Sequence, residues 1–293
     1  TLIARGEQSL LIKKKIDNNN YIRMYIVSPK TRPIIRKLEF LDFVPAILKV
    51  VAESIKNKQK IILQAFFTYP SGVAVITTKL MFFWKRIPVV VTVAGDDVEL
   101  VKEIKYGYRL DPILKLIIWL TLRLADVVIA PSPYAKYCAL SSGARANRTA
   151  IVPFGYNFCE VLKKQASTTL KLPQTRYICF LGRLHPKKGL RHLISAFKLV
   201  ISRYKSTKLV IIGKGEEYKI IRELARKLSL SKYVFFTGYV DEQTKFQYLK
   251  NAIVYVLPSI SDSYPISVLE ALASGCPVII TKNVGEEYIL RKV

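Results

Sequence analysis

The segment Gly182-Arg183-Leu184-His185-Pro186-Lys187-Lys188-Gly189 crowds three cations into a loop bounded by glycines, between an apolar run and a helical pattern. A helix start offers free N–H groups and the positive end of a dipole. Arg183 and Lys188 add full charges, so the loop suits a pyrophosphate. The competing reading is a solvated basic loop in a cationic chain. Two later turns, Gly213-Lys214-Gly215 and Gly238-Tyr239-Val240, let backbone approach a ligand closely, although ordinary strand-to-helix turns look the same. The most informative stretch is PSISDSYPISVLEALASGCP, residues 258–277. It predicts Asp262 in a loop, Ser263 and Pro265 where a helix is capped and begun, Glu270 inside that helix and Gly275 at its end. A carboxylate in an apolar run such as VLEALA needs a partner. The vicinal hydroxyls of a ribose would supply two donors; a lysine partner or a solvent-facing side chain is the alternative.

These segments must be positioned by something, and the chain supplies it as alternating strand and helix patterns, the sequence form of a parallel sheet covered by helices. In the first half strands are predicted at Thr1–Ala4, Tyr21–Ser28, Ile61–Phe67, Pro88–Ala94, Asp126–Ala130 and Ala150–Pro153, with helices at Phe40–Lys56, Gly72–Trp84, Ile113–Leu124 and Tyr134–Ser142. Polar and small residues over 158–173 read as a linker between domains 1–157 and 174–293. The second half restarts with strands at Tyr177–Leu181, Lys208–Ile212, Val234–Thr237, Ile253–Leu257 and Pro277–Thr281, and helices at Gly189–Tyr204, Glu216–Leu228, Glu242–Asn251 and Pro265–Ser274. The expected fold class is α/β, with two Rossmann-like domains facing across a cleft. Open sheets of this kind bind ligands beyond the carboxyl ends of their strands.

Residues Tyr177 to Ile289 resemble the donor-binding domain of the retaining GT-B glycosyltransferases of family 4. Gly182-Arg183 with Lys188-Gly189 is similar to that family's pyrophosphate loop, Gly213-Lys214-Gly215 to its second glycine loop, Phe236-Thr237-Gly238-Tyr239-Val240 to its base-contacting loop, and Asp262 with Glu270 to its E-x7-E element. The first half is similar more loosely, in 87–96, 125–132 and 151–157. The resemblance implies a hexosyltransferase using a nucleotide diphosphate sugar, UDP- or GDP-linked, and a sugar, glycan or lipid-linked acceptor. Arg183, Lys188 and Asp262 are the implied catalytic residues. Gly182, Gly213, Gly215, Gly238, Val240, Tyr264, Ile266 and Glu270 are the implied nucleotide-sugar contacts. Neither a metal nor another cofactor is required by that scheme. The chain offers no His/Asp cluster for a metal, and Gly95-Asp96-Asp97 reads as a helix N-cap.

The sequence also departs from the family. Asp262 stands where a glutamate is usual, one methylene shorter, and Ala94 stands where many relatives have a histidine thought to touch the donor sugar. Those departures motivate an alternative reading, a degenerate nucleotide-binding or membrane-surface module without transferase activity. His185 and His192 are expected as a loop contact and a solvent-facing residue rather than as a general base.

A net charge of +26, shared evenly between residues 1–157 and 158–293, is no basic tail. No signature of a nucleic-acid-binding module accompanies it, so nucleic acid is not the expected partner. A peripheral contact with anionic lipid uses such a surface better. The apolar stretch Pro112 to Pro131 is interrupted by Lys115, Arg123 and Asp126, which excludes a membrane span. It reads as a buried amphipathic helix, Ile113–Leu124, running into a buried strand, Val127–Ala130, in preference to an interfacial helix. Cys138, Cys159, Cys179 and Cys276 lack metal or redox spacing. A reduced cytoplasmic setting, peripheral on the inner face of the cell membrane, is the expected location. Thr1-Leu2-Ile3-Ala4-Arg5 resembles the second strand of the family's first domain. On that resemblance the first strand, and the helices that follow Gly285-Glu286-Glu287 in relatives, are expected to be missing.

Overall fold

The computed structural model describes residues 40–155, 176–282 and 284–285 with their side chains, and residues 2–5, 10–15 and 21–27 as backbone. The expected linker, Tyr156, Asn157, Cys159 and Glu286-Glu287 lie outside the described residues. Two compact units emerge: Thr1–Leu100 with Gly107–Val152, and Val101–Tyr106 with Pro153–Val293.

In the first unit, β1 (Leu2–Arg5) pairs in parallel with β3 (Tyr21–Val27), and β2 (Leu10–Lys15) pairs antiparallel with β3. Strand β2 is an addition to the sequence expectation, because the run LLIKKK ends in three lysines and shows no alternation. A second sheet is all parallel, in the order β4 (Leu63–Phe66), β5 (Val89–Thr92), β6 (Val127–Ala130), β7 (Thr149–Ile151). Helices α1 (Val44–Lys56), α2 (Val73–Met81), α3 (Pro112–Leu124) and α4 (Pro133–Ser141) pack with it. The spacing of Val44, Ile47 and Val51 puts one stripe of α1 into a core shared with Val89, Val91, Ile118, Leu122 and Val128.

Two expectations for this unit are corrected. No α-helix begins at Gly95-Asp96-Asp97, where Val98 and Glu99 N–H groups close a single turn on Gly95 O. Asp97 is fully buried and accepts from the N–H groups of Thr68 (2.9 Å), Gly95 (3.0 Å) and Ala94 (3.3 Å), tying the loop after β5 to the segment after β4. Burial outweighs these bonds and pushes its carboxyl up to about 6. Helix α3 is the second correction. Ile118, Thr121 and Leu122 are buried, but Ile113, Leu116, Trp119, Leu120 and Leu124 are exposed, as is Val127 in β6. With only Lys115 and Arg123 to mark the outside of so apolar a helix, its sequence reads as more deeply buried than it is.

The second unit holds a five-stranded parallel sheet in the order β10 (Val234–Gly238), β9 (Lys208–Ile212), β8 (Tyr177–Leu181), β11 (Val254–Leu257), β12 (Val278–Ile280). This is the 3-2-1-4-5 order of a doubly wound sheet. Strand β9 is buried at Leu209, Val210, Ile211 and Ile212 without alternation, as a strand covered on both faces must be. The helices are α5 (Leu190–Arg203), α6 (Tyr218–Lys227), α7 (Glu242–Asn251) and α8 (Ile266–Ala273). Leu190, Leu193, Ile194, Phe197 and Ile201 form the inward stripe of α5 against Tyr177, Phe180 and Leu209. Among the described residues no helix is long and apolar enough to cross a membrane.

Candidate active site

The strand order of the second unit reverses between β8 and β11, so the loops that follow these two neighbouring strands flank a crevice. They are the basic loop Gly182–Gly189 and the segment from Pro258 to Pro265. The Ile260 N–H donates to Lys187 O at 2.7 Å, fastening one to the other. Gly189 makes that approach feasible. It has φ +68°, and a Cβ there would lie 2.0 Å from Pro258 O, so any other residue would force the loops apart.

Across this junction Lys188 Nζ donates to Asp262 Oδ2, with only 14% and 10% of the side chains exposed. Asp262 is held in turn by its backbone, which bridges to Val284 and accepts from the Gly285 N–H at 2.8 Å. Helix α8 starts after it, but without the expected cap. Pro265 itself occupies the N-cap position, no side chain caps the helix, and the first helical residue is Ile266. Gly275 ends the helix as expected, with φ +73°.

Glu270, on α8, pairs with Lys245 of α7 at 2.6 Å, with 12% and 14% of the side chains exposed. Of the alternatives open from sequence, the lysine partner is therefore realised in this structure. Lys245 was not singled out from sequence. Its only signal is a lysine on a short polar helix, and the partner lies 25 residues away. Tyr255 was missed too. Its fully buried hydroxyl donates to Leu181 O (3.1 Å) and lies 2.8 Å from Ser267 Oγ, joining the end of β8 to the first turn of α8. Burial raises its pKa well above the usual phenol value, so it remains a neutral strut.

Arg183 stands apart from these buried pairs. Its side chain is 70% exposed and lies 3.4 Å from Glu216, leaving the guanidinium largely in solvent. His185 is a loop contact, as expected. Its Nδ1 accepts from the Lys187 N–H at 3.1 Å, Nε2 lies 3.4 Å from Glu216, and its ring meets Tyr106 edge-on. Burial holds its pKa below the usual histidine range, with Arg183 and Lys187 adding to the effect and Glu216 opposing it. Lys187 donates to Tyr106 Oη at 2.9 Å. His192 is exposed.

The glycine turns stand side by side at the carboxyl ends of β8, β9 and β10. Gly182 donates to Ile212 O and Gly213 to Gly238 O. Gly213 has φ +130°, and a Cβ on it would lie 2.0 Å from Gly182 O, so this contact requires glycine. A Cβ on Gly215 would meet Leu184 O at 2.3 Å. Tyr239 projects into solvent and Val240 is half-buried. Tyr264 donates to Phe154 O at 3.3 Å, and Ile266 is exposed. A groove of about 750 Å³ between α6 and β10, and a cavity of about 340 Å³ beside α1 and β4, contain none of Arg183, Lys188, Asp262 or Glu270. We place the site at the strand-order reversal because charge and backbone geometry converge there. Among the described residues no three His, Cys, Asp or Glu side chains cluster as metal ligands.

The arrangement offers one solvent-facing guanidinium, two ammonium–carboxylate pairs and close-approach backbone at the end of a parallel sheet. Chemically that is a place for an anion with a polyhydroxylated group on either side.

Comparison with known proteins agrees with this architecture. Residues 163–292, less than half of the chain, match the family described as glycosyl transferases group 1. An uncharacterized glycosyltransferase of Methanocaldococcus jannaschii is 33% identical over 165 residues, covering 54% of this chain and 40% of the relative. The phosphatidyl-myo-inositol mannosyltransferase of Mycolicibacterium smegmatis is 34% identical over 106 residues, 36% of this chain and 27% of the relative. The chain thus spans roughly a third of the length of the curated relatives it matches. Among solved structures, the Anabaena protein HepE in complex with UDP and glucose superposes with a TM-score of 0.67 at 18% identity, covering 91% of this chain and 69% of that one. The shared fold is the GT-B fold.

Proposed function

We propose that the protein is a retaining glycosyltransferase that moves a hexose from a UDP- or GDP-sugar to a hydroxyl of a glycan or lipid-linked acceptor. The observation that carries this reading is the convergence of the basic loop after β8 with Asp262 after β11, at the reversal of strand order. A group 1 relative named for mannosyl transfer and a GT-B neighbour bound to UDP and glucose support the donor class.

On this reading the diphosphate lies over Gly182, Gly213 and Gly215, with Arg183 and Lys188 on its charge. The nucleoside rests against Gly238 and Val240. Glu270 receives the ribose hydroxyls, Asp262 faces the donor sugar, and Tyr264 and Ile266 line the approach. The bond between the anomeric carbon and the phosphate oxygen breaks. The acceptor oxygen bonds to the anomeric carbon from the same face, and its proton passes to the departing phosphate oxygen. Arg183 and Lys188 matter most as the diphosphate gains charge, so their binding energy is expressed in the transition state. Asp262 keeps the Lys188 ammonium aimed into the crevice before the donor arrives, which lowers the reorganisation needed during reaction.

Incubation with UDP- and GDP-hexoses and a mixture of glycan and lipid acceptors tests this. Release of nucleoside diphosphate with an anomeric configuration unchanged by NMR is expected. Inverted product would overturn retention, and tight donor binding without any turnover would favour the non-catalytic alternative.

A further inference from the structure

Glu217 is a buried carboxylate that the proposed reaction does not use. It stands at the N-cap position of α6, yet its side chain makes no capping bond to its own helix. The side chain turns instead to α5. Arg191 Nε and Nη2 both reach one oxygen, Oε1, at 2.7 and 2.6 Å, and the carboxylate is 1% exposed where the guanidinium is 55% exposed. The other oxygen, Oε2, is buried with no hydrogen-bond partner among the described residues. A buried charge with an unfilled acceptor loses more hydration than it regains, and apolar side chains of similar volume would join α5 to α6 at less cost. Stability of the helix pair therefore does not account for Glu217.

What the residue holds is more informative. The Glu217 N–H donates to Leu184 O at 3.0 Å, and the Leu184 N–H donates to Lys214 O at 3.0 Å. The turn 214–217 thus clasps the fully buried Leu184, which sits between Arg183 and His185 in the basic loop. Arg191 lies in the first turn of α5, directly after that loop ends at Gly189. The Glu217–Arg191 bond therefore closes a ring that runs from the glycine turn through Leu184 and Gly189 and back to α6. Around it the basic loop is fixed at its middle by backbone and at its end by charge. Charge matters here, because a cation in the first turn of a helix opposes the helix dipole unless a carboxylate stands beside it. Glu216 lies 3.4 Å from both Arg183 and His185 but is half in solvent, so it restrains the side chains of the loop only weakly.

We infer that Glu217, acting through Arg191, is a positioning residue that sets the basic loop against the turn Gly213-Lys214-Gly215, so that both face one diphosphate. It touches no part of the donor itself. The inference rests on the nucleotide-sugar reading of the site and adds the residue on which the alignment of its two phosphate loops depends.

A shift of the basic loop should affect the phosphates and spare the nucleoside, which on that reading rests against Gly238 and Val240. Affinities for UDP and GDP are measured by titration calorimetry, and for uridine and guanosine by competition, in the parent, Glu217→Gln and Arg191→Lys. In Glu217→Gln the nucleoside diphosphate should bind at least tenfold more weakly, while its nucleoside changes less than twofold. Arg191→Lys keeps the charge at a half-exposed position but gives up the paired donors. It should weaken the diphosphate at least threefold and spare the nucleoside, which decides the matter if Glu217→Gln does not fold. Arg183→Ala, added to Glu217→Gln, should cost less than threefold more, since a guanidinium already out of place has little left to lose. Equal losses of diphosphate and nucleoside, an unchanged diphosphate affinity, or fully additive effects of the two substitutions would each overturn the inference and leave the site standing. A parent that binds no nucleotide would instead sink the nucleotide-sugar reading, and the inference with it.

Discussion

Lys188 Nζ and Asp262 Oδ2 form a shielded ion pair that links two loops 74 residues apart in sequence, at the reversal of strand order in the second unit. The same two residues are the cation proposed to meet the diphosphate and the carboxylate proposed to face the donor sugar. Their stability role and their chemical role can be separated.

Removing one member strands the other in a poorly solvated place, which destabilises by about 3 kcal/mol. Asp262→Leu and Lys188→Met should each lower the urea midpoint, and the double variant should recover most of the loss while transferring no sugar. If the double variant transferred at the normal rate, the pair would be structural only.

Arg183 gives the complementary case. Its ion pair with Glu216 is exposed and adds little stability. Arg183→Ala should leave the melting temperature within a degree or two of the parent, yet lower kcat/KM at least tenfold. An unchanged kcat/KM would remove Arg183 from the site.

Glu270, paired with Lys245, is the residue proposed to hold the ribose of the nucleoside. Replacing a carboxylate oxygen with an amide turns an acceptor into a donor facing the ribose, and a hydrogen bond to a charged group is worth about 1.5–3 kcal/mol. Glu270→Gln should therefore weaken free UDP or GDP at least tenfold by titration calorimetry. Unaltered affinity would mean that Glu270 serves Lys245 and not the ribose.

His185 sets a pH dependence. Its folded pKa lies below the usual value of about 6.5, chiefly because of burial, so the unfolded chain binds the proton more readily. The stability it contributes is present above that usual value and is lost as pH falls through and below it. Denaturant midpoints should drop as pH is lowered from 7 towards 5. His185→Asn, whose side-chain oxygen can accept from the Lys187 N–H in place of Nδ1, should drop less over that interval. Parallel pH profiles for the two proteins would contradict this.

How much of this was legible in the sequence follows from where the signal resides. Strands such as Tyr177–Leu181 and Lys208–Ile212 were found at their full extent, because short β-branched runs between glycine turns are local patterns. The glycines at 213 and 238 pointed to backbone close to a ligand; in the structure Gly213 donates to Gly238 O and packs against Gly182, so the turns they mark stand side by side. Partnerships were not legible. Nothing local tells Glu270 that Lys245 is near, or Asp97 that it accepts from Thr68 across the sheet. Asp97 looked like a cap because capping and loop-stapling use the same residue type. The outer face of α3 was hidden because apolar residues outnumber Lys115 and Arg123 on it, and so apolar a helix reads as buried until its neighbours are in place.

The most direct test is thermal denaturation of the protein against a panel of UDP- and GDP-sugars. A ligand held at 100 times its dissociation constant adds about 2.7 kcal/mol of stability. The account predicts a rise in melting temperature with at least one member of the panel, reduced in Glu270→Gln and in Arg183→Ala. No rise with any nucleotide sugar, or a rise of the same size in both variants, would contradict the claim that the strand-order reversal of the second unit is a nucleotide-sugar site.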